Sequence, residues 1–169
     1  MILTQEETEQ INHFTEEEVL KLYSRFKAFD ESGDGLIAID DVVKAKPELR
    51  ENPLLQRVFS VLDKDGDGKV SFVEFVSGLA RIAADEATKL EFLFDLYDLD
   101  KDGFVSNADL FTVVKMMAAD NLSDLQLQQL VDRTMRDFDI DLDKRLSFEE
   151  FKAAVKSAAL TRQLGVDLS

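Results

Sequence analysis

The 169-residue sequence has no cysteine and one histidine, His13. Without cysteine there is no disulfide framework, no thiolate zinc site and no cysteine nucleophile. A single histidine cannot build a His-rich metal centre, and His13 reads as a surface residue. Basic residues are also few, 20 against 35 acidic ones, for a net charge of −15. So acidic a chain repels phosphate backbones, which argues against a nucleic-acid partner. No apolar run approaches the roughly 18 residues of a membrane span. The opening Met-Ile-Leu-Thr-Gln-Glu-Glu has neither the basic start nor the apolar stretch of a secretory signal. Residue 2 is Ile rather than Gly, so no myristoyl anchor is expected. These absences predict a soluble cytoplasmic protein. Apolar residues, in contrast, are plentiful at 45%, with 13 Phe. That supply separates the chain from disordered acidic sequences and suffices for one or two packed domains.

The acidic residues recur in four twelve-residue segments, 30–41, 63–74, 98–109 and 139–150. Each has the grammar of an EF-hand calcium loop. Calcium is a hard cation that takes six to eight oxygens. Positions 1, 3 and 5 point short oxygens inward: Asp30, Ser32 and Asp34, then Asp63, Asp65 and Asp67, then Asp98, Asp100 and Asp102, then Asp139, Asp141 and Asp143. Position 7 offers a backbone carbonyl, from Leu36, Lys69, Phe104 and Arg145. Position 12 closes the shell with a carboxylate, from Asp41, Glu74, Asp109 and Glu150. Glycine at position 6 permits the bend, and the fourth loop departs from this with Lys144. Position 8 is Ile37, Val70, Val105 or Leu146, which predicts short strands coupling the loops in pairs.

Apolar residues at helical spacing flank every loop, as in Val19, Leu22, Phe26 and Phe29, or Leu127, Leu130, Val131, Met135 and Phe138. Thr15-x-x-Glu18 and Ser123-x-x-Gln126 read as capping boxes, and Asn52-Pro53 as a cap with proline at the first helical position. The Asn121-Leu-Ser123 sequon is therefore better read as a helix start. The predicted fold is all-α: four EF-hands in two paired lobes, with two-stranded β links between paired loops. The lobes span 15–82 and 89–160. A linker at 83–88, free of Gly and Pro and thus compatible with helix, joins them, and a tail covers 161–169. Calcium is the expected cofactor, at up to four sites. Loop two, ending in Glu74, should be strongest. Asp is one methylene shorter than Glu, so Asp41 and Asp109 predict weaker sites, and Ala38 at position 9 makes loop one weakest. Val113, Val114, Met116 and Met117 suit either a core or, for the methionines, an adaptable binding surface.

Six further stretches are distinctive: Asn52-Pro-Leu-Leu-Gln-Arg-Val58, Tyr97-Asp-Leu-Asp-Lys-Asp-Gly-Phe-Val-Ser-Asn107, Lys115-Met-Met117, Asn121-Leu122, Leu127-Gln-Gln-Leu-Val-Asp-Arg-Thr134 and Arg145-Leu-Ser-Phe-Glu-Glu-Phe151. In these the chain resembles the calcineurin B family, regulatory subunits of a calcium/calmodulin-dependent Ser/Thr phosphatase. The resemblance implies no enzymatic activity in this chain. It implies a grip on an amphipathic helix of the catalytic subunit, which would hold the metallophosphatase centre. It further implies that Val114, Met117 and Ala118 belong to a surface used with the catalytic subunit for Leu-x-Val-Pro substrates and immunophilin–drug complexes. Asp41, Asp109, Lys144 and Ala118-Ala119 depart from the family pattern. The alternatives are a free EF-hand sensor, calmodulin-like or calcineurin-B-homologous, and a calcium buffer.

Overall fold

The computed structural model describes residues 14–118 and 121–157. His13, Ala119 and the tail at 161–169 lie outside the described residues. The described chain runs α1 (Glu16–Phe29), β1 (Leu36–Ile37), α2 (Ile39–Ala45), a 3₁₀ turn (Pro47–Leu49), α3 (Leu54–Leu62), β2 (Val70–Ser71), α4 (Phe72–Ala83), α5 (Glu86–Tyr97), β3 (Val105–Ser106), α6 (Asn107–Ala118), α7 (Asp124–Phe138), β4 (Arg145–Leu146) and α8 (Phe148–Lys156). None of the described helices is long and apolar enough to cross a membrane.

The helix starts follow from capping. Thr15 accepts the Glu18 N–H at 3.3 Å while Glu18 reaches back to the Thr15 N–H at 2.9 Å. Ser123 and Gln126 repeat the exchange at the head of α7. Asn52 also caps, its Oδ1 accepting the Leu54 N–H at 3.0 Å, although α3 itself begins at Leu54, one residue past the proline. The 83–88 stretch is not one helix. Ala84 leaves helical geometry with ψ −169°, and Asp85 Oδ1 accepts the Thr88 N–H at 2.9 Å. An Asp cap thus starts α5 without any Gly or Pro to mark the break.

The chain divides into two compact units, Met1–Lys89 and Leu90–Ser169. In the first, β1 and β2 pair antiparallel with Ile37 opposite Val70. Its core gathers Phe26, Phe59, Phe72 and Val76 around those two side chains. Phe72 meets Tyr23 and Phe26 edge to face at 5.3 and 5.4 Å. Gly78 of α4 lies against the Leu62 side chain, and a Cβ there would collide with Leu62 Cδ2. In the second, β3 and β4 pair with Val105 opposite Leu146. Leu110, Leu127, Val131 and Phe151 pack around them. All four position-8 residues are buried in the strand pairs, as their spacing predicts.

Candidate calcium sites

Each loop is organised around its first carboxylate. Asp30, Asp63, Asp98 and Asp139 are buried, and a buried charge must be met by donors. Asp30 receives the N–H of Gly33 and Gly35 at 2.8 and 3.1 Å. Asp63 receives those of Gly66 and Gly68 at 2.7 and 2.9 Å. Asp98 receives Asp102 and Gly103, and Asp139 receives Asp143 and Lys144. The fifth position is equally regular. Asp34, Asp67, Asp102 and Asp143 each accept the position-7 N–H through Oδ1, at 2.8 to 3.0 Å.

The twelfth position separates the loops. Glu74 Oε2 accepts the Ser71 N–H and hydroxyl at 2.8 and 2.9 Å. Its other oxygen, Oε1, crosses the loop to the Lys64 N–H at 2.8 Å. Glu150 does the same with Ser147 and with the Ile140 N–H at 2.8 Å. Asp109 caps Ser106, its Oδ2 accepting the N–H at 3.0 Å and the hydroxyl at 2.6 Å. Asp41 caps Ala38 at 3.0 Å. The shorter side chains stop at the helix cap, whereas Glu also spans to position 2.

Carboxylate oxygens gather within 4.8 Å of one another in three sets among the described residues: Asp63, Asp65 and Glu74; Asp98, Asp100 and Asp102; Asp139, Asp141 and Glu150. Asp109 stands outside the third-loop set, and Asp30, Asp34 and Asp41 form none. All donors are oxygens, the set a hard cation of calcium type takes. Burial pushes the Asp98 carboxyl up, against two backbone N–H donors, with Asp102 and Asp100 adding repulsion. The Ser147 hydroxyl, followed by backbone N–H groups, holds Glu150 down. Asp34 is held low by the Leu36 N–H first and then by Lys69.

Two local defects carry predictions. Lys144 has φ 70° where the other loops have glycine, and Leu142 has φ 63°. A side chain there costs about 1–2 kcal/mol. Glycine also frees the unfolded chain, so Lys144→Gly should stabilise the calcium-free protein by about 0.5–1 kcal/mol. Urea denaturation reads this, and a lower midpoint would refute it. In loop one, Ala38 stands where Ser71, Ser106 and Ser147 accept the N–H of the position-12 residue at 3.3, 3.2 and 3.5 Å. Ala38→Ser should add about 1 kcal/mol by completing the cap of α2. An unchanged melting temperature would count against that account.

The partner surface expected from the resemblance is divided by the fold. Val114 is buried in the core of the second unit, and Met117 and Ala118 pack at its margin. The Tyr97 hydroxyl donates to Met117 Sδ at 3.5 Å. Ionic contacts between paired loops were not legible in the sequence. Lys69 Nζ sits 3.1 Å from Asp34 Oδ2, and Arg145 Nη1 3.5 Å from Asp102 Oδ2.

Paired loops flanked by helices and joined through short antiparallel strands define an EF-hand protein. The family model for an EF-hand domain pair matches residues 8–80 and again 87–156. The chain is 46% identical over 165 residues to the calcineurin B protein of Naegleria gruberi, covering 96% of this chain and 93% of that protein. It is 47% identical over 155 residues to the type 2 calcineurin B protein of Bos taurus, covering 90% and 91%. To the type 1 calcineurin B protein of Dictyostelium discoideum it is 44% identical over 155 residues, covering 89% and 86%. The chain belongs to the calcineurin B family. Calcium is the ion for which these EF-hands are built, and the relatives are named as B subunits of calcineurin.

Proposed function

We propose that this chain is the calcium-binding regulatory subunit of a calcineurin-type Ser/Thr phosphatase. It would hold an amphipathic helix of the catalytic subunit and make that subunit's activity depend on calcium. The observation that carries this reading is the match to calcineurin B proteins over about nine-tenths of both chains. The residue inventory supports it: one His and no Cys cannot build a dinuclear phosphatase centre here. The ligands are the position 1, 3, 5 and 12 side chains and the position-7 carbonyls of all four loops, with the first loop weakest. Bound calcium would neutralise the clustered carboxylates and stabilise the fold by linkage.

The end of α6 is our candidate surface for Leu-x-Val-Pro substrates and immunophilin–drug complexes. Met117 and Ala118 at the core margin support it, and Val114 would contribute from beneath. In the same unit, exposed apolar side chains at Leu122 and Leu125 offer further area that a helix could cover.

Capture from source extract on the purified chain, with calcium and with chelator, tests the proposal. A phosphatase catalytic chain retained in both eluates, active only with calcium, is the expected result. Capture only with calcium and without phosphatase activity would replace it by a free calcium sensor.

A further inference from the structure

We propose that Lys69 and Arg145 are built-in competitors for calcium in the loops opposite their own, so that within each pair the first loop fills after the second. The inference rests on reading the four loops as calcium sites. In loop one, Asp34 Oδ1 is held by the Leu36 N–H at 3.0 Å. The other oxygen, Oδ2, accepts from Lys69 Nζ at 3.1 Å, so neither oxygen of this ligand carboxylate is free of a donor. Loop three repeats the arrangement. Asp102 Oδ1 accepts the Phe104 N–H at 2.9 Å, and Oδ2 faces Arg145 Nη1 at 3.5 Å. In both lobes the cation comes from position 7 of the second loop of the pair and the carboxylate from position 5 of the first. The β1–β2 and β3–β4 pairings bring those positions together.

A protein cation on a ligand carboxylate offsets its charge and repels the incoming ion, and it must be displaced before calcium takes the oxygen it holds. Removing it should tighten that site. The two competitors differ in grip. Arg145 lies over the Phe104 ring, its Cζ 4.0 Å from the centroid, and also meets Asp143 Oδ2 at 3.4 Å. A stacked, forked guanidinium is harder to move than the flexible lysine stem. The Lys69–Asp34 pair is partly exposed, with side chains 40% and 46% accessible, so water screens it and its effect is bounded.

Lys69 gives the cleaner test, because its ammonium meets a carboxylate of loop one alone, whereas Arg145 also touches its own loop. In the full chain, amide resonances report the loops separately. The Gly35 N–H bonds Asp30 in loop one and the Gly68 N–H bonds Asp63 in loop two. In Lys69→Gln the calcium midpoint read at Gly35 should fall roughly two- to fivefold, and further than that at Gly68. Lys69→Arg, which keeps the charge, should not lower the midpoint. Lys21→Gln, which removes the same charge from an exposed pair with Glu17 on α1, should keep the wild-type midpoint. An unmoved Gly35 midpoint, equal shifts at Gly35 and Gly68, or the same shift in Lys21→Gln would overturn the competition. No calcium response at Gly35 in any variant would overturn it together with the calcium reading of loop one.

Discussion

Replacing Phe151 by alanine should cost about 3–5 kcal/mol, a large share of what holds the second unit together. Phe151 is fully buried and meets two rings, Phe94 at 5.4 Å and Tyr97 at 5.1 Å. Such ring pairs add about 0.5–1.5 kcal/mol beyond buried area. A unit of this size has roughly 4–12 kcal/mol of total stability. The calcium-free variant should therefore lose much of the cooperative unfolding of residues 90–157, with a fall in melting temperature of at least about 12 °C. Calcium should restore part of the loss, because an ion that binds only the folded loops shifts the equilibrium back. Calorimetry with and without chelator reads both effects. A calcium-free melting temperature within a few degrees of wild type would show that the aromatic cluster does not hold this unit together.

Glu74→Gln should have the largest effect on calcium binding, weakening the second site by about 10–100-fold, or roughly 1.4–2.8 kcal/mol. Glu74 uses both oxygens, one on Ser71 and one on the Lys64 N–H. Glutamine keeps a single acceptor. Its carbonyl can keep the Ser71 cap, but its NH₂ then faces the Lys64 N–H, donor against donor. The site also loses a full charge. Since the cap survives, the helical circular dichroism of the variant should match wild type. The equivalent changes Asp41→Asn and Asp109→Asn should cost less, because those shorter side chains serve the cap without crossing the loop. Isothermal titration of the three variants gives the order, and an unchanged second site would refute the ranking.

What could be read in advance was whatever depends on positions close in sequence. The twelve-residue grammar placed every loop, and the apolar residue at position 8 placed every strand. The Thr15 and Ser123 boxes marked their helices to the residue. Features that depend on two distant segments meeting were hidden. Lys69 and Asp34 lie 35 positions apart, and only the β1–β2 register makes them neighbours. Gly78 likewise has its role only in the fold, where the Leu62 side chain fills the space beside it. The absence of Gly and Pro in 83–88 is compatible with helix, but Asp85 is itself a cap and was the overlooked signal. That Glu and Asp differ at position 12 was legible. That the difference is a reach to the position-2 N–H was not.

The same carboxylate that would complete each ion's shell is also the third residue of the exiting helix and holds its first turn. The ion site and the helix axis therefore share a pivot. α4 runs twelve residues from Phe72 to Ala83. At 1.5 Å per residue its length is about 18 Å. A tilt of roughly 5° at Ser71 would carry the far end about 1.5 Å, close to the rise of one helical residue. In mechanical terms the loop is a fulcrum and the helix a lever arm, and a sub-ångström rearrangement at the carboxylate is magnified where α4 ends.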